Sequence, residues 1–372
     1  MTSAVPEGSR DPRDGVDDLR SSLASYLADH ALPEWSGVTV VSLHRHAGGL
    51  SWETFVVEVA ETDRPEHRRR LVVKRPPLDG PLAPYEPDKE ALLLRALADS
   101  AVPVAPLLAY TSEPLVAGRP VEVMEHVAGD VPDVRTIDHW PAWRDADRRR
   151  TVSRRLLGVL AALRDFDWRQ PSLSAVLRAD RSPSEQVSDV IDRLMAKIEE
   201  NVAPRWGASP VARDAWMWLH DTFPGVDPGD ATLVHGDFRI GNVVWRDDRV
   251  VALLDWERAG LGDPMVDLAF LCMPMARHRR PELMGMLMTA DEMVTGYEEE
   301  AGQPVDLRRL HYYLVYWQYV ELAQILNAIA YQVDHAPVDD LTSLTSYPLI
   351  SSGTAELVDL IERFEDGDHD IR

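Results

Sequence analysis

A chain of 372 residues is longer than one hydrophobic core usually serves, so two domains or lobes are expected. The composition is that of an ordinary globular protein, without low-complexity tracts or internal repeats. A formal net charge of −23 argues against a protein that lives on DNA, RNA or anionic lipid, because phosphate surfaces reward Lys and Arg; it is weakly compatible with a cationic substrate and better explained by solubility.

In chain order, residues 1–15 read as a flexible polar tail. The opening MTSAVPEGSRDPRDGVDDLR has no apolar core for a signal peptide, and no apolar run approaches the roughly 20 residues of a membrane helix, so a cytoplasmic protein with no membrane and no nucleic-acid partner is expected. Val16, Leu19, Leu23, Tyr26 and Leu27 recur at helical spacing. Then VTVVSLHRH alternates as a strand, HAGGLSW breaks it with two glycines, ETFVVEVA is a second strand, DRPEHRRR a polar hairpin tip, and LVVKRPP a third strand stopped by proline. PDKEALLLRALADS predicts a helix, with Leu92, Leu93, Ala96 and Leu97 on its apolar face. APLLAYTS and PVEVMEHV are two more strands, joined by a turn at VAGR. Three strands, a helix and two strands make a small lobe of their own, with a boundary expected near residues 125–130. Beyond it, helical periodicity covers about 145–165, 184–200 and 210–222, and later RRLHYYLVYWQYVELAQILNAIAYQV. Cys272, the single cysteine, rules out an internal disulfide and sits in the apolar run LAFLCMPM, which suits a buried structural thiol.

Between those helices lies LVHGDFRIGNVVWRDDRVVALLDWERAG, residues 233–260, with two strands joined at RDDR. Polar groups between buried strands cost free energy unless they are paired. Asp237 and Asn242 stand at the end of one strand and the start of the next, and Asp255 ends the following one. If the strands pair as a hairpin, Asn242 and Asp255 point into one cleft. An amide oxygen beside a carboxylate suits a hard cation such as Mg²⁺, which leaves Asp237 as a base. Turn capping would account for each acid alone. The ordered set of base, amide and acid favours the functional reading.

HGDFRIGN followed by LLDWE resembles the catalytic and metal-binding loops of the aminoglycoside phosphotransferase family, which shares the protein-kinase-like fold. The longer run HGDFRIGNVVW…VVALLDWERAGLGDPMVDLAF most resembles the branch that includes kinase-like domains associated with acyl-CoA dehydrogenases. The resemblance spans about residue 35 to about residue 335. It implies an α+β, two-lobe fold: a small antiparallel β-rich N-lobe with one helix (16–125) and a larger, mostly α-helical C-lobe (126–372).

It also implies ATP and Mg²⁺ as cofactors and transfer of the γ-phosphoryl group to a small-molecule hydroxyl acceptor. Asp237 would be the base, and Asn242 and Asp255 would hold the metal. Arg239 stands where protein kinases keep a Lys on the transferred group; a surface Arg paired to an acid is the equal alternative. Lys74 would hold the α- and β-phosphates and Glu90 would hold Lys74. Arg75 is adjacent, but strand faces alternate and Lys74 is the expected choice. Gly48 and Gly49 stand where a phosphate-covering loop belongs, with Ser51 as a hydroxyl contact. VEVMEHVAGD resembles the hinge, with Met124 walling the adenine pocket and the backbone of Glu125 and Val127 bonding the base.

His235 is expected to set the loop rather than react, and Asp267 to tether it. Glu257 is open between the metal's surroundings and solvent. His44 and His46 lack a third ligand, and Arg68–Arg70, Arg148–Arg150 and RHRR at 277–280 read as solvated tips and helix ends. Late helices line the acceptor pocket in this family, so Tyr316, Tyr319 and Gln324 are weighed as facing substrate against packing in the core. Arg164 stands where relatives often have His and is expected to pack or cap. Aminoglycoside-like, choline- or amino-sugar-like and hydroxyacyl acceptors stay open. The late run YYLVYWQYVELAQILNAIAYQ holds only Glu321 as an acid, a mild argument against a polycation. A nucleotide-binding module without turnover is the rival class.

Overall fold

Alternation of β-branched residues builds the first sheet, as seen in a computed structural model that describes residues 12–46, 52–77, 85–133, 136–226, 230–274, 277, 280–335 and 341–371. The chain divides into two units, Met1–Arg95 with Ala105–His126, and Ala96–Val104 with Val127–Arg372.

The first unit holds α1 (Pro12–Tyr26), β1 (Val38–Arg45), β2 (Glu53–Glu61), β3 (Arg64–Arg75), α2 (Pro87–Leu97), β4 (Leu107–Val116) and β5 (Arg119–Glu125). The five strands are antiparallel, in the order β1-β2-β3-β5-β4. One face presents Phe55, Val57, Val59, Leu71, Val73, Val121 and Val123, which bury against Leu19, Leu23 and Tyr26 of α1. Period-two alternation sends the intervening residues, Lys74 among them, to the other face.

The basic segment read as a hairpin tip is strand: β3 begins at Arg64, and only Thr62 and Asp63 turn. Cross-strand ion pairs hold this polar half, with Arg68 on Glu58 at 3.0 Å and Arg69 on Glu125. Such pairs each contribute roughly 0.2–1 kcal/mol, enough to extend a strand whose composition reads as loop.

The second unit is mostly helical: α3 (Pro141–Arg144), α4 (Ala146–Asp165), α5 (Pro171–Ser174), α6 (Pro183–Lys197), α7 (Ala203–Trp206), α8 (Pro210–Thr222), α9 (Met265–Cys272), α10 (Ala290–Ala301), α11 (Leu307–His335) and α12 (Leu341–Glu365). Local chemistry starts several of them. Asp145 caps α4, and Ser182 with Glu185 and Thr289 with Glu292 form capping boxes on α6 and α10. Residues 310–320 of α11 are all buried, because α6, α8, α9 and α12 pack around it. Two of its tyrosines bury their hydroxyls by bonding backbone: Tyr312 donates to Leu219 O at 2.9 Å and Tyr319 to Ile191 O at 3.0 Å.

Two small ribbons interrupt these helices. β6 (Thr232–Val234) pairs with β9 (Gly260–Gly262), a strand the sequence reading lacked, and β7 (Val243–Arg246) pairs with β8 (Arg249–Leu253). The β7–β8 turn puts Asp247 and Asp248 at positive φ, as a tight hairpin requires, and Arg148 of α4 grips the Asp248 carboxylate at 2.9 and 2.7 Å.

Candidate active site

The loop from β6 to β7 is fixed from beneath by one carboxylate. Asp267 of α9 accepts the backbone N–H of His235 at 2.7 Å and of Gly236 at 2.8 Å, one on each oxygen. It is fully buried, and burial pushes its carboxyl up to about 7 against the lowering effect of those two bonds. Gly236 follows at φ +75°, and a Cβ there would lie 2.5 Å from the Arg258 carbonyl oxygen. Only glycine fits both demands.

His235 is completely buried, with Trp256 edge-on at 4.8 Å between ring centroids. Its Nδ1 accepts the Asp237 backbone N–H at 3.2 Å, so the proton resides on Nε2, which donates to the Leu254 carbonyl at 2.9 Å. Burial lowers its pKa and holds the ring neutral. With both nitrogens occupied by backbone, His235 sets the loop and is not poised as a base.

Asp237 is thereby presented at the loop's tip. Asn242 Nδ2 donates to the Asp237 carbonyl at 2.9 Å and to its Oδ2 at 2.8 Å. Arg239 Nε lies 3.4 Å from Asp237 Oδ1, and its side chain is 45% exposed, so it combines an acid partner with access to solvent. Hairpin register then carries the chain back: Val243 opposes Leu253, and Leu254 N–H donates to Asn242 O at 2.8 Å. Asp255 follows with φ +68° in the left-handed region, unusual for a residue with a Cβ and a strain found most often at functional positions. Hairpin pairing thus brings Asn242 and the turn that carries Asp255 side by side, and Asp237 bonds to Asn242.

Further support reaches the site from positions the sequence reading missed. Arg258, half-buried, lies 3.4 Å from Glu321, bonds Gln324, and stacks over Trp317 at 5.5 Å from the ring centroid. Asp263 accepts the Met265 N–H at the start of α9 at 2.9 Å and pairs with Arg309 at 3.0 Å. The available signal for Arg258 was Glu321, a single acid within the apolar run 312–332, because a largely buried carboxylate needs a cation.

Among residues weighed for the acceptor, Tyr319 belongs to the core and Gln324 to the Arg258 cluster. Tyr316 is also buried, and burial pushes its hydroxyl up to about 12. Arg277 is no solvated tip: its Nε donates to Cys272 O at 2.7 Å at the end of α9. Arg164 caps α10 through the Ala301 carbonyl. Cys272 is buried, and its thiol is pushed up to about 12.

The first unit contains its own buried ion pair. Lys74 Nζ donates to both oxygens of Glu90, at 2.8 and 2.6 Å, and lies 5.5 Å from the Trp52 ring centroid. Lys74 and Glu90 are 6% and 2% exposed, which removes the reading of Lys74 as an exposed edge lysine. Arg75 faces the opposite side of β3 and pairs with Glu53 at 2.7 Å. Met124 is buried, and Val127 is half-buried. Glu125 turns its carboxylate to Arg69 and donates its N–H to Pro106 O at 2.9 Å. Gly48, Gly49 and Ser51 lie outside the described residues.

Among the described residues no group of three or more His, Cys, Asp or Glu is arranged for a metal. The donor set at 242 and 255 is smaller, one amide and one carboxylate. That suits Mg²⁺, which takes few protein ligands and completes its shell with water and phosphate.

A model of the phosphotransferase enzyme family matches residues 42–302. The chain belongs to this family. Its sequence is 30% identical over 235 residues to acyl-CoA dehydrogenase family member 11 of Gallus gallus, covering 62% of this chain and 27% of that protein. It is 28% identical over 356 residues to the Mus musculus protein of the same name, covering 90% of this chain and 43% of that protein. The chain therefore spans less than half the length of these relatives.

Solved phosphotransferases share the fold. A protein of Ralstonia eutropha, provisionally named an aminoglycoside phosphotransferase, superposes with a TM-score of 0.69 at 20% identity, covering 92% of this chain and 98% of that one. A choline/ethanolamine kinase family protein of Mesorhizobium loti gives 0.57 at 16% identity, covering 94% and 97%. An aminoglycoside phosphotransferase in ternary complex with ADP and hygromycin B gives 0.57 at 16% identity, covering 91% and 98%. The family's protein-kinase-like α+β architecture is that of this chain. No helix among the described residues is long and apolar enough to cross a membrane.

Proposed function

We propose that this chain transfers the γ-phosphoryl group of ATP, with Mg²⁺, to a hydroxyl of a small molecule, with Asp237 as the base. The observation that carries this reading is the pair of hydrogen bonds that the Asn242 amide nitrogen donates to Asp237, one to its carbonyl and one to its carboxylate. It aims one Asp237 oxygen and spends the nitrogen end of the amide, which leaves the Asn242 oxygen as the end suited to a cation.

Phosphoryl transfer passes through a loose transition state, so positioning and charge neutralisation supply most of the catalysis. Asp237 accepts the proton of the acceptor hydroxyl and orients its oxygen. Arg239, beside Asp237, offers a guanidinium to the transferred group. Lys74, held by Glu90, takes phosphate oxygens. Gly48 and Gly49 with Ser51 cover the phosphates, Met124 walls the adenine, and the backbone of Glu125 and Val127 bonds it. Asn242 and Asp255 are the residues to hold Mg²⁺, which supplies neutralisation of phosphate charge when bound.

For the acceptor, the state of Glu321 favours a metabolite hydroxyl over a polycation. Its charge is engaged by Arg258 and so is not offered to an ammonium group. The names of the acyl-CoA dehydrogenase relatives point the same way, toward hydroxyacyl groups; the hygromycin B complex points toward aminoglycosides. An ADP-release screen across hydroxyacyl-CoAs, amino alcohols, sugars and aminoglycosides tests the reading. Turnover with one class and not the others identifies the acceptor, and absence of turnover with all of them favours a binding module.

A further inference from the structure

One level of the first unit's sheet carries an unusual row of side chains. Register places Thr54 opposite Lys74, Lys74 opposite Glu122, and Glu122 opposite Tyr110, so the row crosses β2, β3, β5 and β4 on the face away from α1. Directly opposed residues of an antiparallel pair have Cβ atoms about 4.5–5.5 Å apart, within easy reach of a Lys and a Glu. Glu122 is 1% exposed, and both of its carboxylate oxygens are buried.

Lys74 therefore has two buried acids on hand, Glu90 from α2 and Glu122 from the strand beside it. The other polar groups at this level are committed elsewhere. Tyr110 donates its hydroxyl to Asp88 at 2.8 Å, Arg95 lies over the Tyr110 ring at 4.9 Å, and Lys89 pairs with Glu86 at 3.3 Å. Arg75 and Arg119 pair with Glu53 on the opposite face.

We infer that Glu122 is a positioning residue for Lys74, a second carboxylate that keeps the buried amine protonated and holds it while it engages an anion. Burial disfavours an ammonium, and one carboxylate neighbour offsets that only while it stays in contact. A phosphate that draws the Lys74 amine away from Glu90 leaves Glu122 in place beside it. The consequence for catalysis rests on the proposal that Lys74 binds nucleotide phosphates; the consequence for Lys74's own proton does not.

The chain has three lysines, Lys74, Lys89 and Lys197, so selective ¹³C labelling of lysine gives three ε-carbon resonances to follow by NMR through an alkaline titration of the full chain. Glu122→Gln lowers the Lys74 midpoint by about one pH unit or more, the effect of losing one close anion, and leaves Lys89 and Lys197 where they were. Glu122→Asp keeps the Lys74 midpoint near that of the unaltered protein, which a purely space-filling role would not require. Glu122→Met serves in place of the Gln variant if that one fails to fold, with the same downward shift expected. Coincident Lys74 midpoints with and without the Glu122 carboxylate, alongside a shift in Glu90→Gln, overturn the inference. Mg-ATP added to the unaltered protein reads the nucleotide proposal separately: an unmoved Lys74 resonance counts against that proposal and leaves the Glu122 result standing.

Discussion

Asn242 gives its amide nitrogen to Asp237 twice, at 2.9 Å to the carbonyl oxygen and at 2.8 Å to the carboxylate. The bond spans one turn of loop and fixes the proposed base by the residue proposed to hold metal. Asn242→Asp replaces the donor by a second carboxylate facing the first. Like charges at that distance repel, and Asp237 is expected to swing away or take up a proton. The kcat of the variant falls by about two orders of magnitude, in line with losing a general base's alignment, and steady-state kinetics at saturating Mg-ATP checks it.

Gly236 tests the geometry of the same loop without touching a polar group. At φ +75°, with the Arg258 carbonyl 2.5 Å from where a Cβ would be, Gly236→Ala meets both backbone strain and a clash. The strain alone costs roughly 1–2 kcal/mol. Denaturant unfolding reads a loss of at least that size, and activity falls further than stability does because the displaced residues carry Asp237.

Asp267 provides a pH-dependent prediction. Its folded pKa of about 7 lies above the roughly 3.9 of an unfolded aspartate, so between those values the folded state holds a proton that the unfolded state has lost. This group's contribution to stability is therefore full below about pH 4 and declines as pH rises toward 7, by up to about 1.4 kcal/mol for each pH unit. His235, buried and neutral, acts in the opposite sense as pH falls below its unfolded value, which is why the difference between variants is the useful quantity. Subtracting the profile of Asp267→Asn from that of the unaltered protein isolates a term that falls with rising pH through this window. The Asn variant also loses one acceptor for the two backbone N–H groups, about 1–3 kcal/mol at low pH. A flat difference profile contradicts the assignment.

Lys74 and Glu90 form a buried pair whose separation should be costly. Removing Lys74 leaves the buried carboxylates of Glu90 and Glu122 without that cation, about 3–5 kcal/mol, whereas Lys74→Met with Glu90→Leu and Glu122→Met removes all three charges and recovers much of that loss. The triple variant is expected to fold and to have lost nucleotide affinity, which calorimetric titration with Mg-ATP measures against its melting temperature.

The order of Asp237, Asn242 and Asp255 was legible in the sequence because hairpin pairing converts spacing into proximity. The strand position of Lys74 and the helix position of Glu90 followed from local periodicity in the same way. What sequence could not supply was set by contacts between distant segments. The polar half of β3 runs on as strand beside β2, with Glu58 and Glu125 from neighbouring strands pairing its arginines. β9 is too short to announce itself, and exists because β6 needs a partner. Tyr319 and Arg258 share the neighbourhood of α11, yet one bonds Ile191 in the core and the other reaches Glu321. Helical spacing gives the face a residue occupies, and not which neighbour will cover that face.

The central claim is that Asp237 acts on the acceptor and does not hold the nucleotide. The most direct measurement is Mg-ATP affinity alongside phosphoryl transfer in Asp237→Asn, using whichever acceptor the screen identifies. The account predicts a dissociation constant within a few-fold of the unaltered protein and a kcat lower by about two to four orders of magnitude. Transfer at an undiminished rate in that variant would contradict it.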